Sequence, residues 1–397
     1  MKRTLMLKNR ELLDFEVDLA TDEIRVLDGP EAGDALLFSL GFGDGSDRDA
    51  FVADIVRGRC LSPNREDLEQ ILAAFGARSS LELVFRGHGL SLIDRLWYRA
   101  PGATERWEDI NFFDNEWDDA YRSFVLTRDC KGLASCSPDV PDVTTGGHLR
   151  KAWERTEEGI HLLKEPLFKS GNDLEGALLG AELCRLFFGQ DAFQPLNIVE
   201  RFGARLAASP LMLGRDEELV QRSRLFAMGG FSLSEAEALL GFASPRSLVD
   251  AMSRVGVADA SEHVAKMFAF KALALLADIH SGNFGVIRNA ETGACRAAPP
   301  FDYDRAFGFP YEGFPLEAIC SDPTFALFLC AKEFSDLEPS WDWEWYDPQV
   351  LDGFEDRIVQ AYASFSDLPP NFGRIVAQFF VMQRDYLNKT ASVRMSP

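Results

Sequence analysis

The stretch Leu275–Gly285 decides how the sequence is interpreted, and it reads L-L-A-D-I-H-S-G-N-F-G. It follows a long apolar helix predicted over residues 263–277 and precedes a strand-like segment. This pattern places a carboxylate, Asp278, and an amide, Asn283, on one short polar loop behind a rigid helix. Such a loop can aim an acceptor at a hydroxyl nucleophile and an oxygen at a divalent cation.

A second acidic group follows in the segment A-P-P-F-D, which ends at Asp302 behind a proline-stiffened turn. An Asp that orients a hydroxyl, together with Asn and Asp oxygens for Mg²⁺, is the set that phosphoryl transfer uses. Oxygen ligands also favour Mg²⁺ over zinc. Each residue alone could simply cap or turn the chain, but their order and spacing predict Asn283 and Asp302 as metal ligands beside Asp278.

The pattern D-x-H-x-x-N-F-G followed by A-P-x-F-D resembles the catalytic segment of the bacterial HipA-like serine/threonine kinases. The resemblance implies that Asp278 is catalytic and that Asn283 and Asp302 bind the metal. His280 also matches, either as a catalytic or as a loop-orienting residue. The chain departs from the family pattern after the motif, where Tyr303-Asp304 replaces a small or apolar pair.

The same resemblance implies an α+β, bilobal protein-kinase-like fold. We expect a small β-rich N-lobe over residues 141–220 and a mainly helical C-lobe over 221–397. Residues 1–140 are predicted to form an N-terminal accessory α/β domain, with a boundary in the Pro- and Ser-rich stretch 135–141. Within it, the pattern predicts a β-meander over residues 1–30, helices over 49–57 and 65–75, and a strand over 81–86.

The β-rich segment contains the residues expected to hold a nucleotide. The loop Thr144-Thr145-Gly146-Gly147 is predicted to cover the phosphates, and Lys164, after an apolar run, is predicted to bind them. Lys151, closer to the loop, is a competing candidate. An adenine pocket is expected along residues 209–214, lined by Leu211 and Leu213, although a core strand would have the same pattern.

A phosphate-binding lysine needs a carboxylate partner that fixes it in place. Glu175 and Glu182 lie about two turns apart on the helix predicted over 174–188, and either could supply it. Glu175 is preferred because it lies near the helix start. Farther on, the segment W-D-W-E-W-Y at residues 341–346 is expected to anchor the C-lobe, or else to contact a basic partner.

Composition excludes several classes of protein. The chain has 397 residues with 46% hydrophobic residues and a formal net charge of −22, which opposes direct binding to nucleic acid. No stretch is long and apolar enough to span a membrane, and no C-x-x-C pair indicates zinc or redox chemistry. We therefore expect a cytoplasmic protein without membrane or nucleic-acid contacts.

The residues and the resemblance together predict an ATP- and Mg²⁺-dependent protein kinase acting on a Ser or Thr hydroxyl, with Thr144 and Thr145 as candidate acceptors in its own loop. Members of the family often act as toxins restrained by a small DNA-binding partner, which implies an antitoxin-like partner here. Two alternatives stay open. One is a small-molecule phosphotransferase of the aminoglycoside or choline kinase type, and the other is a pseudokinase binding module.

Overall fold

The computed structural model describes residues 1–29, 40, 48–65, 67–129, 136–147, 149–168, 171–231, 245–276, 283–307 and 343–395. Its first sheet contains β1 (Lys2–Leu7), β2 (Arg10–Asp18), β3 (Glu23–Asp28) and β4 (Leu96–Arg99), in the antiparallel order β3-β2-β1-β4. Alternate residues, such as Leu5, Leu13 and Phe15, are buried on one face beside helix α1 (Arg48–Arg57). The predicted meander and first helix are confirmed.

The described residues of the N-terminal region also include four further helices: α2 (Leu68–Phe75), α3 (Ser80–Arg86), α4 (Trp107–Ile110) and α5 (Ala120–Thr127). The strand predicted over residues 81–86 is wrong, because this segment is α3. Ser79 caps the helix by accepting a hydrogen bond from the Glu82 N–H at 3.1 Å, and the Glu82 side chain accepts one from the Arg78 N–H. This N-terminal cap outweighs the β-propensity of the apolar residues.

The second sheet contains β5 (Lys151–Thr156), β6 (Gly159–Lys164), β7 (Asn197–Arg201) and β8 (Ala204–Pro210), in the antiparallel order β5-β6-β8-β7. Helix α6 (Asn172–Phe188) is inserted between β6 and β7. In the register, Lys151 lies opposite Lys164, and Ala152 lies opposite Leu163. Because side chains alternate across a strand, the two lysines share what we call the front face, and Ala152 and Leu163 share the back face.

The third sheet contains β9 (Glu217–Gln221), β10 (Gly285–Asn289) and β11 (Cys295–Ala297), in the order β11-β10-β9. A side chain at Gly285 would place its Cβ 2.2 Å from the Val220 carbonyl oxygen, so the close pairing of β10 with β9 requires glycine. A buried ion pair of Arg288 with Glu218, at 2.6 Å, spans the same two strands.

Among the residues that the structure describes, the helical lobe contains α7 (Arg222–Met228), α8 (Pro245–Arg254), α9 (Ala260–Leu273), α10 (Phe354–Tyr362) and α11 (Phe372–Met395). Short 3-10 turns cover Pro141–Thr144 and Pro348–Leu351. The core of this lobe also includes the inner face of α6. Trp343 is buried in it, and Trp345 packs against Phe187 with ring centroids 5.7 Å apart. The prediction that the Trp-rich segment anchors the C-lobe is therefore confirmed for these residues.

The N-terminal region packs directly on the second sheet, since Tyr121 and Phe124 of α5 share one core with Leu163 on the back face. The fully buried Arg95 guanidinium donates hydrogen bonds to the carbonyl oxygens of Gly214 and Arg215, each at 2.7 Å. The boundaries proposed at 140 and 220 stay a prediction. Within the described ranges, no helix has the length and apolarity needed to cross a membrane.

Candidate nucleotide site

Lys164 is the last residue of β6, on the front face. Its Nζ lies 2.6 Å from Asp302 Oδ1 and 3.2 Å from Asp304 Oδ2. Burial opposes a charge on this side chain, but the two carboxylates outweigh it and raise the pKa of the ammonium above its ordinary value. The predicted nucleotide lysine and one predicted metal ligand therefore meet directly, although they are far apart in sequence.

The segment that carries the two carboxylates is held by the residue between them. Tyr303 is buried, and its hydroxyl donates hydrogen bonds to the carbonyl oxygens of Pro300 at 2.7 Å and Gln194 at 3.2 Å. Its ring lies against Gly180 of α6, where a Cβ would be only 3.1 Å from Tyr303 Cβ. With Tyr303 fixed beneath α6, the residues on either side of it are both within reach of Lys164.

The two carboxylates differ in pKa although they share one ammonium. Burial disfavours ionisation of Asp302, but attraction to Lys164 and then to Lys151 holds its pKa well below the ordinary value. Burial raises the pKa of Asp304 to about 6, because the attraction of Lys164 is countered by the Asp302 carboxylate. Lys164 therefore favours the charged form of Asp302 more strongly than that of Asp304.

Lys151 is a second cation on the front face. Burial and repulsion by Lys164 lower the pKa of Lys151 to about 8. The adjacent Gly147 has a φ of +89°, and a Cβ there would lie 2.6 Å from Lys151 Nζ. The structure thus places Gly147 of the predicted phosphate loop beside Lys151, and Lys151 beside Lys164.

The two threonines of the predicted loop are buried. Thr144 ends the 3-10 turn, and its hydroxyl donates to the Leu90 carbonyl oxygen at 2.9 Å and to that of Pro141 at 3.1 Å. The Thr145 hydroxyl donates to the Asp142 carbonyl oxygen at 2.7 Å. A phosphoacceptor must reach the nucleotide, so the expectation that these hydroxyls serve as acceptors disagrees with this structure, in which both are satisfied inside the fold.

The predicted pairing of Lys164 with a helix glutamate is wrong in this structure. Glu175 of α6 accepts a hydrogen bond from Arg205 at 2.8 Å, and Glu182 is paired with Arg357 of α10. These arginines lie on neighbouring elements and neutralise both candidates. Over the described part of the chain, the carboxylates that contact Lys164 are those of the segment after β11.

An apolar wall lies next to the charged groups. Leu213 is buried against Ile287 of β10, and Leu211 and Phe301 pack on the same cluster. The Leu211 N–H donates to the Ile160 carbonyl oxygen at 2.7 Å, which fixes the segment after β8 to the start of β6. The adenine-pocket role of these leucines stays a prediction, and the structure places them beside the residue that precedes Asp302.

Asp278 and His280 lie outside the described residues. Asn283 re-enters the described chain just before β10, and the Gly285 carbonyl oxygen accepts a hydrogen bond from the Ala298 N–H at 3.2 Å. This bond pairs the segment that follows Asn283 with the segment that precedes Asp302. The structure describes no group of three or more His, Cys, Asp or Glu residues that could hold a metal ion.

The donor set nevertheless fits Mg²⁺, since it consists of carboxylate and amide oxygens. Asp304 is the residue that sequence reasoning missed as part of the site. Its signal was the second acid in F-D-Y-D, which lies only two positions after the predicted metal ligand Asp302.

Comparison with solved structures identifies the fold that carries this site. No protein-family model matches the chain, and no curated protein matches it. Among solved structures, it is similar to HipA of Shewanella oneidensis MR-1, determined in complex with HipB and its operator DNA. The TM-score is 0.51 at 11% identity, covering 100% of both chains. The Helicobacter pylori proinflammatory kinase CtkA aligns with a TM-score of 0.45 at 11% identity, over 63% of this chain and 92% of that one.

The HipA structure includes operator DNA, so our prediction that this chain avoids nucleic acid gains no support from the comparison. The predicted fold class, in contrast, is confirmed. The chain has the α+β, bilobal, kinase-like fold of HipA, with a small antiparallel sheet facing a mainly helical lobe.

Proposed function

We propose that this chain is a Mg²⁺-dependent kinase that transfers the γ-phosphoryl group of ATP to a serine or threonine hydroxyl of a protein. The observation that carries the proposal is the contact of Lys164 with Asp302 at 2.6 Å, next to an apolar wall. Kinase-like sites hold a triphosphate between a strand lysine and a metal-binding aspartate, with the base in an apolar slot.

Each residue has a distinct proposed role. Lys164 binds the phosphates from the front face, and Asn283 and Asp302 hold Mg²⁺. Held by these two residues, Mg²⁺ would supply positive charge that offsets the negative charge developing on the transferred phosphoryl group. Asp278 orients the acceptor hydroxyl. Leu211 and Leu213 line the slot for adenine.

A protein partner is the second part of the proposal. The HipA structure contains HipB, so we propose that this chain is the toxin of a toxin–antitoxin pair, restrained by a small antitoxin-like protein. The net charge of −22 favours a partner or substrate with a basic surface. We expect expression of the chain alone to arrest growth and co-expression with the antitoxin-like protein to relieve that arrest.

The test of the enzymatic proposal is transfer of labelled γ-phosphate to protein. We expect an Asp278→Asn variant to lose transfer by about 10²-fold or more, as expected for a group that acts on the transferred proton. Nucleotide binding, measured as a shift of the melting temperature, should persist in the variant because Asp278 holds no phosphate. Equal labelling by both proteins would contradict the assigned role.

A pseudokinase is the second candidate, and a specific observation favours it. Both helix glutamates are engaged by arginines, so the usual partner of the nucleotide lysine is missing. A wild-type chain that binds ADP but labels neither proteins nor small alcohols and aminoglycosides would support this candidate. Labelling of the small molecules alone would instead indicate a small-molecule phosphotransferase.

A further inference from the structure

Asp304 is the feature of the site that neither the motif nor the family pattern explains. It stands where the resemblance implies a small or apolar residue, yet its Oδ2 lies 3.2 Å from Lys164 Nζ. Its side chain is 20% exposed, so it is not a solvated surface acid. A charged group in such a place is costly unless it has a partner, and Lys164 is that partner.

The lysine has two carboxylates, but one of them has another task under the proposed function. When Asp302 takes Mg²⁺, it can no longer serve as the main counter-charge of Lys164. A half-buried ammonium without a carboxylate neighbour would not be held in one orientation. The helix glutamates that usually do this are paired with Arg205 and Arg357.

The backbone around Asp304 is fixed independently of Asp302. The Ala306 N–H donates to the Tyr303 carbonyl oxygen at 2.9 Å, and the Phe307 N–H donates to the Ala274 carbonyl oxygen at 2.7 Å. These bonds, with the buried ring of Tyr303, attach the segment to α6 and to the end of α9. Asp304 can therefore stay in place while Asp302 changes partner.

We propose that Asp304 is the positioning residue that holds Lys164 in the nucleotide-bound protein, in the place of the helix glutamate. This inference rests on the proposed function. The two acids have different roles: Asp302 binds the metal, and Asp304 keeps its contact with Lys164. Neither Glu175 nor Glu182 takes part.

A double-mutant cycle tests the inference through binding rather than turnover. ADP affinity in the presence of Mg²⁺ is measured for the full-length wild type, Asp304→Asn, Lys164→Met and the double variant. In an otherwise wild-type chain, we expect Asp304→Asn to weaken ADP binding about tenfold, which corresponds to the loss of one charge-assisted hydrogen bond. In the Lys164→Met background it should change binding by less than about twofold, because Asp304 acts through the lysine.

Matched controls separate this role from a general charge effect. Glu175→Gln and Glu182→Gln remove the same charge from α6 and should change affinity by less than about twofold. Asp304→Glu restores the carboxylate and should recover part of the loss. It also keeps the test valid if Asp304→Asn does not fold.

Several outcomes would overturn the inference. An equal loss in both backgrounds would show that Asp304 acts on the metal or on the phosphates directly. No loss with Asp304→Asn, together with a loss on Glu175→Gln or Glu182→Gln, would return the role to the helix. A wild type that binds no ADP with Mg²⁺ would overturn the proposed function itself, and this inference with it.

Discussion

The two faces of the second sheet use the same strands in opposite ways. On the back face, Leu163 lies in an apolar core, and the buried Glu154 carboxylate is paired with Arg122 and Arg201, each at 3.3 Å. On the front face, Lys164 and Lys151 lie next to each other and share the carboxylates of a segment from the other lobe. Charges on the back face are thus neutralised by neighbouring elements, and the charge of Lys164 on the front face by carboxylates of a segment distant in sequence.

Under the proposed function, a strand of six residues serves both stability and ligand binding. Leu163 and Lys164 are adjacent in sequence, but side chains alternate along a strand. One therefore lies in the core on the back face and the other lies on the front face. The front face tolerates two neighbouring ammonium groups, an arrangement that a purely structural sheet would avoid. The variants below test whether the two faces are separable.

The largest effect on stability is expected on the back face. Leu163→Ala removes a side chain that is 1% exposed, and it should lower the free energy of unfolding by about 2–5 kcal/mol. Urea denaturation measures this loss. The rise in melting temperature caused by ADP with Mg²⁺ should be retained, whereas Lys164→Met should make that rise smaller. Loss of the ADP response in Leu163→Ala at a temperature where it is folded would show that the faces are coupled.

A smaller and pH-dependent effect is expected from Lys151 on the front face. Because its pKa is lowered to about 8, the folded state is penalised below pH 8, and the penalty disappears as pH rises towards the unfolded value near 10.5. Lys151→Met should therefore be more stable than the wild type at pH 7, by on the order of 2 kcal/mol. The gap should close between about pH 8 and pH 10.5. A gap that is constant with pH would contradict the lowered pKa of Lys151, whose main cause is burial.

The smallest effect is expected at the rim of the back face. Arg201 is 42% exposed at its side chain and contacts Glu154 at 3.3 Å. Arg201→Ala should cost less than about 1 kcal/mol of unfolding free energy, because Arg122 still neutralises Glu154 and the pair is partly solvated. Nucleotide affinity should not change. A cost above about 2 kcal/mol would mean that the Glu154 network carries more of the back-face stability than its exposure indicates.

Local sequence signals predicted the elements whose pattern is strong. The meander and the helices α1 and α6 were expected from periodicity and turn residues, which act over a few positions. Segment 81–86 failed because a cap residue, Ser79, overrode the apparent β-propensity of the apolar residues that follow.

The candidate site was predicted in part. Lys164 and Asp302 were chosen from separate motifs, and the structure brings them into contact. The partners of Glu175 and Glu182 could not be foreseen, because both ion pairs depend on elements distant in sequence that happen to lie nearer than Lys164. Asp304 was noted only as a departure from the family pattern. Its role comes from its contact with Lys164, which no sequence motif indicates.

By itself, the sequence determined the kinase-like order of motifs and the kinds of side chain available for phosphate and metal. It could do so because those properties reside in short runs of neighbouring residues. Tertiary structure decided which carboxylates contact Lys164. It also decided that arginines pair with the helix glutamates Glu175 and Glu182. Those choices depend on distances between lobes, where a separation of 138 residues along the chain becomes 2.6 Å in space.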